Sequence, residues 1–240
     1  MKIKLVKGFP AVFIKKLNAL VIADLHIGIE TEEKYRKFSL LIFNSVMKKL
    51  EELINTIEPE VLIINGDLKH QIFGKEFYLK KKLKKVLSTF PKNTIVVKGN
   101  HDGNLERILK EIEIFPKDML LGKYYFTHGH ANPSPISLKA KVWIIGHIHP
   151  GIKSKHFSES VFVITQVKRD FLKEKFGKSR KIKLYVLPAF NKFSGIYTLN
   201  AKKTDRRYKS PLWKDKVIER DKTEIYLLDG TYLGCLSDFS

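Results

Sequence analysis

The stretch Thr94-Ile95-Val96-Val97-Lys98-Gly99-Asn100-His101-Asp102 sets the reading of this chain. A run of four β-branched residues, closed by a glycine, predicts a short buried strand rather than a helix. An amide, an imidazole and a carboxylate follow in immediate succession. The same grammar occurs four more times. Leu20-Val21-Ile22-Ala23 runs into Asp24-Leu25-His26, and Val61-Leu62-Ile63-Ile64 into Asn65-Gly66-Asp67. Tyr124-Tyr125-Phe126-Thr127 runs into His128-Gly129-His130, and Val142-Trp143-Ile144-Ile145 into Gly146-His147-Ile148-His149. Six of the eight histidines fall in these clusters, so the placement of imidazole follows the strands. His70 and His156 have no motif around them and read as surface or core histidines.

Between the first three strands lie helical patterns. Residues 32–57 carry Leu40, Leu41, Phe43, Val46, Met47, Leu50, Leu53 and Ile54 at helical spacing, with Thr31 as the expected N-cap and Glu32 and Glu33 in the opening turn. Residues 75–90 predict a second helix and 104–112 a short third. Strands alternating with helices imply an α/β sheet with parallel members. The second half reads as mostly strand: Val161–Val167, Lys181–Leu187, Gly195–Leu199, Glu224–Leu228 and Tyr232–Leu236, the last two joined by the two-residue turn Asp229-Gly230. With no repeat and no convincing linker, residues 1–240 are expected to form one domain. Its motif core covers about 20–150, and a basic loop and hairpin within 195–240 pack on it.

In an α/β sheet the loops beyond the carboxyl ends of the strands gather at one edge. Five loops rich in Asp, Asn and His would then converge. As ordinary core this would be ruinous, because each buried unpaired imidazole or carboxylate costs several kcal/mol. Divalent cations remove the objection, since carboxylate, amide oxygen and neutral imidazole suit Mn²⁺, Fe²⁺ and Zn²⁺. Cys235 is the only cysteine, so the ligand set is nitrogen and oxygen alone, which disfavours a structural zinc site and favours a hydrolytic one.

Composition narrows the class. The chain is 43% hydrophobic and 29% charged, enough for a core without disulfides. No apolar run approaches the roughly 18 to 20 residues needed to span a bilayer. Lysines interrupt Met1–Lys7, which makes a poor signal peptide. A soluble, cytoplasmic protein with no membrane partner is expected. Serine-hydrolase elbows, dinucleotide fingerprints, phosphate-binding loops and His-Glu-x-x-His are all missing from the sequence. The formal net charge is +20, and residues 151–222 carry 20 basic against 7 acidic side chains. The run Lys80-Lys81-Lys82-Leu83-Lys84-Lys85 has Phe77, Leu79, Leu83, Val86, Leu87 and Phe90 beside it, and reads as the wet face of an amphipathic helix. Residues 201–211 have no such periodicity. They read as an exposed basic loop whose Arg206, Arg207 and Lys209 are candidate contacts to nucleic acid.

Asp24-x-His26, Gly66-Asp67, Gly99-Asn-His-Asp102, His128-Gly-His130 and Gly146-His-x-His149 together resemble the signature of the calcineurin-like metallophosphoesterase superfamily, in its order. Leu187-Pro-Ala-Phe-Asn191 and Leu227–Gly234 resemble archaeal phosphoesterases related to SbcD-type repair nucleases. The resemblance implies a two-sheet mixed β-sandwich flanked by helices, with a dinuclear metal site at the carboxyl edges of the strands. It implies one metal on Asp24, His26 and His149, a second on Asn100, His128 and His147, and Asp67 bridging both. The ions would be two divalent metals, Mn²⁺ foremost, with Fe, Zn, Ni or Co as alternatives. A hydroxide between them would attack phosphorus, and His101 would assist the leaving oxygen. Asp102 would orient His101 or a neighbouring ligand, and His130 would support a ligand or contact substrate.

Three readings stay open on the sequence: hydrolysis of small phosphodiesters or phosphomonoesters, nuclease action on DNA or RNA, and a non-catalytic binding module on the same fold. The presence of all seven ligand positions and His101 argues against the last.

Overall fold

The computed structural model describes residues 2–70, 76–153, 155–201 and 210–239, the side chains of residues 76–78 excepted. Among these residues two sheets form. The first contains β1 (Ile3–Leu5), β2 (Ala11–Ile14), β3 (Ala19–Ile22), β4 (Val61–Asn65), β5 (Asn93–Val97) and β6 (Glu113–Phe115), in that spatial order. β3 through β6 run parallel, and β1 and β2 add an antiparallel hairpin. The second contains β7 (Asp118–Leu121), β8 (Tyr124–Thr127), β9 (Val142–Ile145), β10 (Pro150–Lys153), β11 (Ser158–Gln166), β12 (Lys183–Val186), β13 (Tyr197–Thr198), β14 (Glu224–Leu227) and β15 (Tyr232–Cys235). Its order is β13-β10-β11-β12-β9-β8-β7, with the β14–β15 hairpin also joined to β11. The fold is thus the expected mixed sandwich flanked by helices.

The two-residue period of a strand explains the layering. In β4, Leu62 and Ile64 face the helices α1 (Ser39–Ile57) and α2 (Glu76–Leu87), packing with Phe43, Val46, Leu50, Leu83 and Val86. Ile63 points the other way and joins Val21 and Val97 against Phe126 and Ile144 of the second sheet and Leu187 just beyond β12. The far face of that second sheet, with Trp143, Ile145, Val163 and Leu184, is covered by Phe171 and Leu172 of α4 (Arg169–Phe176) and by Leu212 and Val217. Each fully buried side chain of this kind contributes roughly 1.5–3 kcal/mol.

Register places the chemistry. Ile22 pairs with Ile64 and Asn65 with Val97, so the segments carrying Asp24, Asp67 and Asn100 leave the first sheet at one edge. Phe126 pairs with Ile144 in the second, bringing His128 and His147 out together. Asn65 ties the edges of the two sheets: its Nδ2 donates to the carbonyls of Thr127 (3.1 Å) and Ile144 (2.9 Å).

Several local expectations are corrected. Thr31 does not cap a helix; it ends a short 3-10 turn, Ile29–Thr31, and its hydroxyl donates to the Gly28 carbonyl. A second 3-10 stretch, Glu33–Phe38, precedes α1, which begins only at Ser39. In the first turn of α1, Leu40 and Leu41 are 68% and 67% exposed, while Ile42 is buried. The third helix, α3, is only Leu105–Ile108, because the chain then extends as β6. The lysine-broken N-terminus is an edge hairpin, where alternating lysine suits a solvent-facing side. The turn at Asp229-Gly230 spans three residues: Leu227 N–H donates to the Thr231 carbonyl and Gly230 N–H to that of Leu227. No helix among the described residues is long and apolar enough to cross a membrane.

Candidate metal centre

Five ligand candidates share an unusual backbone. Asp24 (φ 60°), His26 (44°), Asp67 (51°), His147 (67°) and His149 (48°) all adopt the left-handed conformation. For a residue with a side chain this costs on the order of 1–3 kcal/mol each, and it persists only where neighbours over-determine it. They do here. Asp24 N–H donates to the Gly66 carbonyl (3.0 Å), His26 N–H to that of Asp67 (2.8 Å), and His147 N–H to the Asp24 carboxylate (3.1 Å). Phe190 N–H holds the Ala23 carbonyl at 2.9 Å, and the Asn191 side chain holds that of Leu25 at 3.0 Å.

The donor atoms meet in three groups: two that carry expected ligands, Asp24 with His26 and His149 and Asp67 with His128 and His147, and a third of His26 with His70 and His101. His149 Nε2 lies 2.9 Å from Asp24 Oδ1, and His128 Nε2 3.1 Å from Asp67 Oδ2. His26 Nε2 stands between the two carboxylates, 3.6 Å from Asp67 and 3.8 Å from Asp24. The second nitrogens are held from behind: His128 Nδ1 is 3.1 Å from the Asn65 carbonyl and His149 Nδ1 is 3.3 Å from the Gly195 carbonyl, which turns Nε2 of each ring toward the carboxylates. Nε2 of His26 and of His128 is buried without a well-formed hydrogen bond. Gly66 (φ 95°) and Gly99 permit this closeness. A Cβ at Gly66 would sit 2.1 Å from His128 Nδ1, and one at Gly99 2.1 Å from Asp67 Oδ1.

Electrostatics keep the carboxylates charged. Burial pushes the Asp24 carboxyl up, but His149 and His128 beside it outweigh that and hold it below its ordinary value. Burial likewise opposes charge on Asp67, yet His128, His26 and His101 hold it well down. Burial drives the His26 imidazole down to about 3 against the pull of Asp67. His128 goes the other way: burial opposes its charge, and Asp67 and Asp24 raise it to about 9. Burial and His128 lower His130 to about 4.

The remaining candidates surround a cavity of about 330 Å³ lined by His26, Asp67, Asn100, His101, His147 and His149. His101 N–H donates to Asp67 Oδ1 at 2.9 Å, and its ring Nε2 stands 4.0 Å from Asp67 Oδ2. Asp102 is wholly buried and accepts from the backbone N–H groups of Gly99 (2.9 Å), Lys69 (3.1 Å) and Leu68 (3.3 Å). It therefore staples the Asp67 loop to the Asn100 loop, rather than reaching the His101 ring. The His130 ring packs at 5.4 Å from that of His128. Arg206, Arg207 and Lys209 lie outside the described residues; Ser210, next along the chain, donates to the Gly129 carbonyl between His128 and His130 (2.6 Å).

His70 was missed by sequence reasoning. Its Nδ1 lies 3.5 Å from His26 Nδ1, its Nε2 2.9 Å from Glu32, and its ring stacks on His101. The available signal was its place three residues beyond Asp67 in the same loop, which a parallel bridge between Ile27 and Lys69 draws alongside His26. Asn65 and Asn191 were likewise readable only as neighbours of motifs, since their work is done through side-chain bonds to distant backbone.

The family model of the calcineurin-like phosphoesterases matches residues 17–230. No curated protein matches the chain. Among solved structures, the crystal structure of the Pseudomonas putida nuclease MPE superposes with a TM-score of 0.61 at 18% identity, covering 97% of this chain and all of that one. A protein of unknown function from Aquifex aeolicus is 22% identical over 55% of this chain and 78% of its own, with a TM-score of 0.35.

Proposed function

The chain belongs to the calcineurin-like phosphoesterase family, and on that footing we propose that it hydrolyses phosphodiester bonds with two divalent cations held at the sandwich edge. Asp24, His26 and His149 would hold one, Asn100, His128 and His147 the other, and the Asp67 carboxylate would be shared. The donor set fits such ions: it is nitrogen and oxygen only, and two buried imidazole Nε2 atoms have no well-formed hydrogen bond. When bound, the cations would activate water for attack and neutralise charge on the phosphoryl oxygens. Manganese suits this donor set, with Fe, Zn, Ni and Co as the alternatives.

The observation that carries the reading is Asp67. Its Oδ2 faces His128 at 3.1 Å and His26 at 3.6 Å, one from each donor group, while Oδ1 accepts the His101 N–H. One carboxylate thus registers both groups and the residue proposed to act on the leaving oxygen. The His101 side chain, 29% exposed at the cavity, would deliver a proton to a departing alkoxide. His70 stacks behind it and hands its Nε2 to Glu32, so it positions His101 and His26. Asp102 fixes the turn from which His101 projects. The family match over 17–230, and the pairing of β14 with β11, support treating residues 1–240 as one domain.

Nuclease action is the second reading, favoured by the basic excess of residues 151–222. Metal-loaded protein should cleave bis(p-nitrophenyl) phosphate, with EDTA abolishing turnover. A panel from cyclic nucleotides to single- and double-stranded DNA and RNA then separates small diesters from nucleic acid. Failure to cleave with any of Mn²⁺, Fe²⁺, Co²⁺, Ni²⁺ or Zn²⁺ would leave only the binding-module reading.

A further inference from the structure

The strands that deliver His128 and His147 begin at the opposite edge of the sandwich, and that edge is basic. Lys141 immediately precedes β9, and Lys183 pairs beside Val142 at the start of β12. Together with Arg180 and Lys181 they line a groove of about 560 Å³ with Tyr185 in its wall. A second groove of about 520 Å³ shares Arg180 and adds Lys139, Lys175 and Lys178 around Phe176. The seven cations are exposed, the two aromatic rings half-buried. No lining residue of either groove is acidic. Among the described residues none of the seven cations stands in an ion pair with a carboxylate. The Arg180 guanidinium is held by the Leu138 carbonyl, which joins the two grooves. An opposing charge, Glu224, is felt at the Tyr185 hydroxyl.

Seven unneutralised cations in one connected trough repel one another, so leaving them together has a cost that a bound polyanion would relieve. Their arrangement is a groove rather than a scatter, with Lys183 over the Tyr185 ring and Lys175 over that of Phe176. A positively charged groove that can track a phosphate backbone is the electrostatic part of nucleic-acid strand binding. The four residues of β9 put about 13 Å of strand between Lys141 and the histidine loop, so this trough is separate from the metal centre.

We propose that the Lys139–Lys141 and Lys175–Lys183 trough is a second, non-catalytic binding site for a nucleic-acid strand, held through its phosphates. It requires no metal and stands whether or not the sandwich-edge centre hydrolyses nucleic acid. Each phosphate contact steepens the dependence of log affinity on log salt by about 0.7–0.9.

The test is fluorescence anisotropy in EDTA with labelled single-stranded and duplex oligonucleotides, across salt concentrations. Three proteins are compared: the natural chain, K141Q/K181Q/K183Q, and a control that loses the same charge elsewhere, K80Q/K81Q/K84Q on the exposed face of α2. The trough variant should bind roughly tenfold or more weakly and lose about two units of salt slope, while the control stays within about twofold. Cleavage of bis(p-nitrophenyl) phosphate by metal-loaded trough variant should equal that of the natural chain, which reports an intact fold. Equal weakening in both variants would overturn the proposal, since the attraction would then be diffuse charge. So would an absence of binding by the natural chain, or trough-dependent binding of anionic vesicles or acidic peptides without nucleic acid. Loss of hydrolysis with binding intact would instead count against the metal-centre reading alone.

Discussion

The imidazole of His70 stacks on that of His101, with 5.2 Å between ring centroids and 19° between planes. The pair is held from both ends: Glu32 takes His70 Nε2 at 2.9 Å, and Asp67 Oδ1 takes the His101 N–H at 2.9 Å. His101 is therefore aimed by its neighbours while ligating nothing itself in the proposed arrangement. His101→Asn should keep both metals and lose roughly 10²–10⁴-fold in turnover of diesters with alkoxide leaving groups, the usual worth of a positioned acid. With p-nitrophenolate, which needs no proton to depart, the loss should be far smaller. His70→Asn should show the same leaving-group pattern at lower amplitude. Equal losses for both substrates in His101→Asn would remove it from proton transfer.

In the proposed arrangement both donor groups share the Asp67 carboxylate, whose Oδ2 faces His128 and His26. Asp67→Ala should bind at most one equivalent of metal, measured by elemental analysis after gel filtration, and should have no detectable turnover. A variant that still retained two metals would refute the sharing of this carboxylate.

The pH response of the metal-free protein follows from two histidines shifted in opposite senses. His128 keeps its proton to about 9 in the fold, against 6.5 ordinarily. Its contribution to stability is fully present below pH 6.5 and lost as pH rises through about 9. His26 and His130, driven to about 3 and about 4, refuse protons that the unfolded chain accepts, so stability falls as pH drops below 6.5. The melting temperature in EDTA should peak near neutrality and decline on both sides. A metal held by His128 would displace that proton, so with Mn²⁺ the alkaline decline should move or vanish. Identical alkaline limbs with and without metal would contradict the assignment of His128 as a ligand.

What could be read from the sequence was whatever repeats locally. The five units of strand followed by Asp, Asn or His were legible because each apolar run and the polar residues after it are contiguous, and their convergence follows from parallel strands. The N-terminal hairpin was not, since Lys2, Lys4 and Lys7 break the apolar pattern that an edge strand has no need to keep. Nor was the start of α1, where two 3-10 stretches precede Ser39 and the first-turn Leu40 and Leu41 are exposed. His70 escaped because nothing adjacent to it marks it; its partners Glu32, His26 and His101 arrive from two other loops.

Lys82 shows the same limit and yields a further prediction. In the sequence it is one of five lysines on a wet helical face, and Lys80, Lys81, Lys84 and Lys85 are indeed exposed. Lys82 instead turns inward over the Phe43 ring and pairs with Glu30, whose other oxygen accepts the Gly28 N–H at 3.0 Å. Glu30 is 1% exposed, so this pair fixes the turn that follows His26. Removing one partner of a buried pair strands the other charge, and costs about 3–5 kcal/mol. Lys82→Met should therefore lower stability by that order and weaken metal retention, whereas Lys81→Met should do neither. The double variant Lys82→Met/Glu30→Gln, which leaves no stranded charge, should recover much of the stability in denaturant titration. If the single and double variants are equally destabilised, the loss lies in packing on Phe43 and not in the ion pair.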